Sequence, residues 1–539
     1  MGAMDNSFLR RWLAGFWLIL AGLAAVIWLM RLAAVLDPEQ GPYYVTTGFE
    51  DISVFNFSRI RYDDPVYMDC FKYPYRMSLF NWLFYWLYGR VVAAVNPSEV
   101  VLPTVLRLVT LAWALLGCAA MVRFLRKSGP ETAPALPLWA SLGLAIVTWF
   151  GPTIGWWSLT ARPDVPAVVC EYLGLLLVLR GGRLSSVQQL GAGLLFFLAW
   201  SFKQSEVFIF AGTMLALLWR RQWGSFCWIG ATFAVFVAVV LVNAPPAYFT
   251  NLLAPGVTPV TGEFAGVILE WCLRSWMPLL LVGLVVFLLA LDRPERRALW
   301  QNDAGFFLSV VGAVTLIGNL VLVRRPGASG NYLFETWVVG MTLTGLIQQH
   351  AAATLKDFAT PVRRPLFIAA TGIVLVWSVF CTLPLFQPLN KPDTAPIELM
   401  LRLPHEPYSE SLLDEVRTSP QPILIDDPGL VRVALGKASD DVPVVDHTIY
   451  WDARTAGKLS HPDVNAKIAA HEYVNIWLYR HNSWWEPEVK KAGYVAFKED
   501  GAFRQYRRPI TLAASPASKA ASGSMPTVSA VRTSAPSCP

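Results

Sequence analysis

The chain has 539 residues, of which 55% are hydrophobic and 15% are charged, and its mean hydropathy is +0.43. Because soluble domains carry about 25% charged residues, this composition excludes an ordinary soluble protein and indicates that a lipid bilayer is the solvent. The net charge of +6 does not indicate a nucleic-acid partner, because cations gathered on one side of a membrane report its topology.

Eleven apolar stretches are predicted to be membrane-spanning helices, because an isolated strand would leave its backbone groups unsatisfied in lipid. They lie at residues 12–36, 103–124, 135–151, 163–180, 188–202, 204–219, 225–243, 275–291, 304–323, 331–348 and 365–386. A further aromatic stretch, residues 78–95, is broken by Gly89 and Arg90 and is predicted to form an interfacial helix. The predicted fold class is an all-α polytopic membrane protein.

Positively charged residues mark every second loop between these spans. They lie before the first span and at residues 123–127, 180–183, 220–221, 293–297 and 356–364. The positive-inside rule places these loops and the N-terminus in the cytoplasm, so the intervening loops face outward. We therefore expect a multi-pass protein of the inner (cytoplasmic) membrane whose C-terminal part is periplasmic or otherwise extracytoplasmic.

The composition changes after the last predicted span. We predict a transmembrane domain over residues 1–389, with its first outer loop at 37–102, and a small extracytoplasmic α/β domain over 390–510. In that domain "PILIDDPGLVRVALG" and "AGYVAFKEDGAFRQYRR" are predicted to form short strands with turns, and "DVNAKIAAHEYVNIWLYRH" a helix. The Ala/Ser/Pro-rich tail, 511–539, is predicted to be disordered.

The first outer loop is dense in charge and carries adjacent acids, Glu50 and Asp51. A partly buried carboxylate within hydrogen-bond reach of a hydroxyl can accept its proton as a general base. Cations of the same loop, Arg59, Lys72 and Arg76, can hold an anionic leaving group. The alternative for any one of these residues is a solvated loop with internal salt bridges.

Other polar residues lie where outer loops meet the predicted spans. Ionisable groups at membrane depth are costly and usually face a cavity or a partner. The candidates are Arg162, Asp164, Lys203, Gln204, Asn331, Tyr332 and Glu335. Each alone is also explained by a structural pair, most obviously Arg162 with Asp164, but several from separate spans on one side favour a binding site. No residues are assigned as metal ligands.

Four patches carry a resemblance to a known family. They are "GFEDISVFNFSRIRYDDPVY", "LTARPD", "FKQS" and "GASGNYLFE". Together with the short N-terminus, the interfacial aromatic helix and the small outer domain, they resemble the GT-C superfamily of membrane glycosyltransferases that use polyprenyl-phosphate sugars. Within it, the likeness is to the bacterial branch that includes dolichyl-phosphate-mannose-type and lipid A sugar transferases.

The resemblance implies a first-loop acid as catalytic base, and counting back from Arg59 and Tyr67 places that role on Glu50 with Asp51 as the alternative. Many relatives have Asp-Glu where this chain has Glu50-Asp51, which leaves the choice between the two acids open. Lys72, Arg76, Arg162 and Lys203 would supply the cations for the departing lipid phosphate. No cofactor is implied with certainty, since some relatives need a divalent cation and many do not.

The implied reaction is attack by an acceptor hydroxyl on the anomeric carbon of a lipid-phosphate sugar, with inversion. The implied partners are a polyprenyl-phosphate-linked sugar donor, an envelope glycan, lipid or protein acceptor, and membrane lipid. The main alternative is a transporter or flippase for lipid-linked sugars, which more often shows repeat symmetry and charges near mid-membrane. A polysaccharide polymerase or ligase and a membrane scaffold are weaker alternatives.

Overall fold

The architecture is a large helical bundle followed by a small four-stranded sheet. The computed structural model describes residues 7–36, 49–127, 136–180, 184–257, 266, 269, 272–324, 330–354, 362–381, 408–436, 442–480 and 483–508. Helices of the bundle are Ser7–Leu36, Phe49–Arg61, Trp82–Val95, Leu102–Lys127, Leu138–Phe150, Asp164–Val178, Ser186–Phe202, Phe208–Trp219, Trp223–Asn243, Pro246–Leu253, Leu280–Val285, Arg293–Gln301, Asp303–Leu322, Phe334–Thr354 and Arg363–Phe380. Short 3₁₀ or π turns occupy Trp157–Leu159, Ala254–Val257, Met277–Leu279, Val286–Ala290 and Gly330–Leu333.

A helix or helical run lies at each of the eleven predicted span positions, and the aromatic stretch forms the predicted additional helix, Trp82–Val95. Within the described part of the chain, five helices are long and apolar enough to cross a bilayer by length and composition, and five further apolar helices have 10 to 17 residues. The chain is therefore a mostly helical, multi-pass membrane protein. The count of eleven spans stays a prediction.

Two buried tryptophans of the bundle interior donate hydrogen bonds to distant helices. Trp17 Nε1 donates to Gln348 Oε1 at 3.0 Å, and Trp337 Nε1 donates to the Thr148 carbonyl at 2.8 Å. Both indoles are fully buried. Because an unpaired N–H in an apolar interior is costly, these bonds fix how distant helices meet in addition to the apolar packing.

The loop predicted to be the first outer one contains a helix, Phe49–Arg61, which we call the loop helix. Its acids Glu50 and Asp51 lie in the first turn, and Arg59 and Arg61 lie in the last. This distribution opposes the helix dipole at both ends and stabilises the helix. The predicted candidate base is thus held on a regular element.

The C-terminal sheet has four strands: β1 Ile423–Ile425, β2 Asn475–Tyr479, β3 Val495–Asp500 and β4 Phe503–Arg507. Their order is β1-β2-β4-β3, with β1 parallel to β2 and the other pairs antiparallel. Helices Glu410–Thr418, Pro428–Leu435, His447–Thr455, Val464–Ala469 and Glu486–Lys491 accompany it. A mixed helix-and-strand region thus follows the bundle, but the domain boundaries at 389, 390 and 510 and the tail fall outside the described residues.

Two local predictions in this region were wrong in part. The segment after β1 is a helix and not a second strand, because Asp427 caps it by accepting from Gly429 N and Leu430 N and Pro428 occupies its first turn. The predicted helix over 463–481 ends at Ala469, and "NIWLY" forms β2. That strand is buried on both faces between β1 and β4, so its apolar run carries no alternation to distinguish it from a helix.

The sheet region is anchored on the segment between the first two long helices of the bundle. Tyr75 Oη donates to the carbonyls of Ser460 and Pro462, both at 2.9 Å. Arg432 pairs with Glu99 Oε2 at 3.1 Å and also bonds the Glu99 carbonyl. The helix Pro428–Leu435 packs on the loop helix. These contacts place the sheet region directly over the element that carries Glu50 and Asp51.

Asp426, at the end of β1, gives the sheet region a pH dependence. Burial raises the pKa of its carboxyl to about 7, against 3.8 for the ordinary group. Between these two values the folded state keeps a proton that the unfolded state releases, so stability falls as the pH rises through this window. We expect the melting temperature in detergent to fall further between pH 5 and pH 8 for the wild-type protein than for Asp426→Asn. Equal losses in both proteins would contradict the assignment.

Candidate functional site

The centre of the site is Asp164, at the start of the helix Asp164–Val178. Its Oδ1 lies 2.8 Å from Lys203 Nζ, and its Oδ2 lies 3.1 Å from Arg162 Nε. All three side chains are buried, and Lys203 reaches the site from the C-cap of the helix Ser186–Phe202. Two cations from different segments are thereby fixed around one carboxylate in a low-dielectric setting, where each charge needs its partner.

A third segment, Gly330–Leu333, closes the same cluster. Asn331 Nδ2 donates to Asp164 Oδ1 at 2.6 Å, and Lys203 Nζ lies 5.0 Å from the centre of the Tyr332 ring. Arg162 stacks over Trp157 at 4.2 Å. The two cations are held by aromatic faces as well as by a carboxylate, an arrangement that attracts and orients positive charge.

Glu50 of the loop helix meets the same end of the bundle. Its Oε1 accepts from Arg107 Nε at 2.9 Å and from the backbone N–H of Ala161 at 2.8 Å. Ala161 is the residue before Arg162, so the loop helix and the Asp164 cluster share one stretch of backbone. Glu50 and Arg107 are both almost completely buried. The structure therefore holds Glu50 against the backbone residue that precedes Arg162.

Three more carboxylates lie near Lys203. They belong to Glu171, Glu206 and Glu335, and we call them the acidic triad. Their oxygen atoms are within 4.8 Å of one another. Glu206 Oε1 pairs with Lys203 Nζ at 2.7 Å. This pair connects the acidic triad to the Asp164 cluster.

The triad has a structural task at the start of the helix Phe208–Trp219. The N-cap residue of that helix, Val207, has no side-chain acceptor. Glu335 Oε1 accepts from the N–H groups of Phe208 and Ile209 at 2.8 and 3.3 Å, and Glu171 Oε1 accepts from Phe210 N at 3.2 Å. Carboxylates from two neighbouring helices therefore replace the missing local cap and oppose the positive end of the helix dipole.

No family model and no curated protein matches this sequence, but solved structures match its fold. ArnT from Cupriavidus metallidurans bound to undecaprenyl phosphate aligns over 93% of this chain and 99% of its own, with a TM-score of 0.51 and 11% identity. The chain shares its overall fold with this ArnT structure. Apo ArnT matches with a TM-score of 0.49, 13% identity and the same coverage. The apo oligosaccharyltransferase of Archaeoglobus fulgidus covers 94% of this chain and 75% of its own, with a TM-score of 0.49 and 13% identity.

Asp51 lies close to charged groups of both the helical bundle and the sheet region. It is partly buried, and burial raises the pKa of its carboxyl well above the ordinary value. The carboxylates of Asp427 and Glu50 raise that pKa further, while Arg432 and Arg107 oppose the rise. Since Asp427 and Arg432 belong to the sheet region, Asp51 lies at the junction between the helical bundle and that region.

Four other predicted residues make contacts with groups outside the Asp164 cluster. Arg59 bonds within the first loop, to Asn56 Oδ1 at 3.2 Å and the Pro65 carbonyl at 2.8 Å. Arg76 is buried against the Phe55 ring. Lys72 is 69% exposed and pairs with Asp69 of its own loop at 3.2 Å. Gln204 donates to the Leu79 carbonyl at 3.1 Å. Their functional roles stay predictions.

Two features of the candidate site had no sequence signal strong enough to find them. Arg107 has no predicted role, although a lone arginine inside an apolar helix required a partner, and that partner is Glu50, 57 residues away in sequence. The position of Glu171 on the same helical face as Asp164 was visible from its spacing, but its meeting with Glu206 and Glu335 depends on the packing of three helices.

Proposed function

We propose that this chain is a membrane glycosyltransferase that moves a sugar from a polyprenyl-phosphate donor to a hydroxyl acceptor on the outer face of the cytoplasmic membrane. The observation that carries the proposal is the pairing of Arg162 and Lys203 around Asp164, one residue along the backbone from the Glu50 contact. The fold shared with an ArnT structure that holds undecaprenyl phosphate supports the donor class, although fold alone does not fix function.

In the proposed reaction, the acceptor oxygen attacks the anomeric carbon from the side opposite the lipid phosphate. A new glycosidic C–O bond forms while the bond between the anomeric carbon and the phosphate oxygen breaks, and the electron pair leaves with the phosphate. The acceptor proton passes to the Glu50 carboxylate. Arg162 and Lys203 face the developing phosphate charge, and such preplaced cations stabilise it most when water is excluded. The configuration at the anomeric carbon is inverted.

The two candidate bases predict different pH profiles. A base must be ionised, and Arg107 and Ala161 N both bond to the carboxylate form of Glu50. Burial raises the pKa of the Asp51 carboxyl well above its ordinary value, so a reaction that used Asp51 as base would accelerate as the pH rose through that raised pKa. With Glu50 as base, we expect Asp51→Asn to keep the pH–rate profile of the wild type. A rate that climbs steeply in the wild type and is lost in Asp51→Asn would move the base to Asp51.

Within the described residues, the acidic triad is where carboxylates are grouped closely enough to hold a divalent cation. Carboxylate oxygens suit a hard cation such as Mg²⁺ or Ca²⁺, and Glu171 Oε2 is buried without a hydrogen-bond partner. Against this fit, the other recorded bonds of the triad already go to the helix N-terminus and to Lys203. A cation bound there would act by holding Glu206 and Lys203 in position, and no step of the reaction is assigned to it.

A sugar transferase breaks the bond between the sugar and the lipid phosphate, whereas a transporter leaves that bond intact. The purified protein in sealed liposomes, given a polyprenyl-phosphate sugar labelled in the sugar, is expected to release free polyprenyl phosphate in proportion to acceptor glycosylation. A transporter moves labelled donor between leaflets with that bond intact. Protein-dependent movement of intact donor without any release of lipid phosphate would replace the enzyme by the flippase. The polar cluster at one end of the helices, rather than at mid-membrane, favours the enzyme.

A further inference from the structure

A large cavity lies at the opposite end of the bundle from the Asp164 cluster. It has a volume of about 840 Å³, within the roughly 300–1,000 Å³ typical of ligand pockets. The helix Asp164–Val178 starts at the cluster and ends at the cavity, whereas the helix Ser186–Phe202 starts near the cavity and ends at Lys203. The cavity is therefore separate from the candidate active site.

The cavity walls are apolar and its mouth is cationic. Leucine and phenylalanine side chains from three helices form the walls, and three cations stand at the helix ends around the mouth. The wall residues include Phe124, Leu173, Leu176, Leu177 and Leu195, and the cations are Arg123, Lys127 and Arg180. These three cations are exposed. The shape and chemistry are those of a site for a molecule with an anionic head and an apolar tail.

The positive charge at the mouth is not balanced by the described protein groups. No ion pair or hydrogen bond is recorded for the side chains of Arg123, Lys127 or Arg180 within the part of the chain that the structure describes. The one acid in the lining, Asp303, lies 3.5 Å from Arg220, which already compensates it. The mouth of the cavity therefore carries three cations and a single carboxylate, and that carboxylate is already paired with Arg220.

The geometry points to an acidic phospholipid as the occupant, with its phosphate against Arg123, Lys127 and Arg180 and an acyl chain along the leucine wall. Basic pockets between membrane helices bind acidic headgroups in this way. A soluble anion does not use the apolar wall, and a zwitterionic lipid brings its own cation to the mouth. This assignment is independent of the proposed transfer reaction.

The test compares three additives on the full-length protein in detergent micelles: dioleoylphosphatidylglycerol, dioleoylphosphatidylcholine and inorganic phosphate. A ligand that binds only the folded state raises the melting temperature. We expect phosphatidylglycerol to raise it by several degrees more than phosphatidylcholine, and inorganic phosphate to give no rise. An equal rise with both lipids, or a rise with inorganic phosphate alone, would overturn the assignment.

The cationic mouth and the apolar cavity are then removed in separate variants. The triple variant Arg123→Gln/Lys127→Gln/Arg180→Gln is expected to lose the extra rise with phosphatidylglycerol, and Leu177→Trp, which fills the cavity, is expected to lose it too. The matched control is Arg126→Gln/Arg221→Gln/Arg297→Gln, which removes three exposed cations outside the described lining. Retention of the rise in the triple variant and in Leu177→Trp, or its loss in the control to the same extent, would contradict the site.

Discussion

Lys203→Met is expected to reduce sugar transfer by about two to three orders of magnitude. Lys203 Nζ pairs with Asp164 at 2.8 Å and Glu206 at 2.7 Å, so its removal takes the paired cation from Glu206 and leaves Asp164 with Arg162. Removing one preplaced group that stabilises developing charge costs roughly 10²–10³ in rate. The same change withdraws a positive charge that the proposed mechanism sets against the departing phosphate.

The measurement is transfer rate per folded protein, with melting temperature recorded on the same sample. Lys458→Met is the matched control, because Lys458 is an exposed lysine of the sheet region. Lys72→Met tests whether the exposed lysine of the first loop contacts the phosphate. A loss of transfer rate as large as that of Lys203→Met would place Lys72 in the phosphate site. Undiminished transfer in Lys203→Met would remove the proposed phosphate contact.

The second large effect is expected at Arg107, the buried partner of Glu50. Arg107→Gln leaves the Glu50 charge without its counter-ion, so we expect destabilisation of roughly 3–5 kcal/mol together with loss of transfer. Glu50→Gln/Arg107→Gln removes both charges and is expected to recover much of the stability without recovering transfer. The two sites are in contact at 2.9 Å, and contacting pairs deviate from additivity.

The coupling free energy between Glu50 and Arg107 is measured by a double-mutant cycle. Thermal or denaturant melting is recorded for the wild type, the two single variants and the double variant. A coupling free energy near zero would mean that the ion pair does not hold the loop helix to the bundle. Recovery of transfer in the double variant would mean that Glu50 does not act as the base. Either result is distinguishable from simple misfolding, because the double variant is expected to melt close to the wild type.

The helices were predictable because their signal is local. A span needs a long run of apolar residues, and runs such as 103–124 and 304–323 reappear as the helices Leu102–Lys127 and Asp303–Leu322. The turn between β3 and β4 was equally visible, since Gly501 takes the positive φ of +54° that a tight turn requires. The strand "NIWLY" was missed because it is buried on both faces and shows no alternation.

Part of the Asp164 cluster was predictable in its members but not in its connections. Arg162 and Asp164 are two residues apart, so their pairing followed from the sequence. The bonds from Asn331 to Asp164 and from Ala161 N to Glu50 join residues 167 and 111 positions apart, and only the packing of helices sets such contacts. The same holds for the caps that Glu335 and Glu171 provide to the helix Phe208–Trp219.

The central claim is that a first-loop carboxylate takes the acceptor proton while cations of the Asp164 cluster hold the lipid phosphate. Its most direct test measures donor binding and sugar transfer on the same preparations of wild type, Glu50→Gln and Asp51→Asn. We predict that Glu50→Gln binds the polyprenyl-phosphate sugar with nearly unchanged affinity and transfers no sugar, while Asp51→Asn retains transfer. Full transfer by both variants would contradict the account.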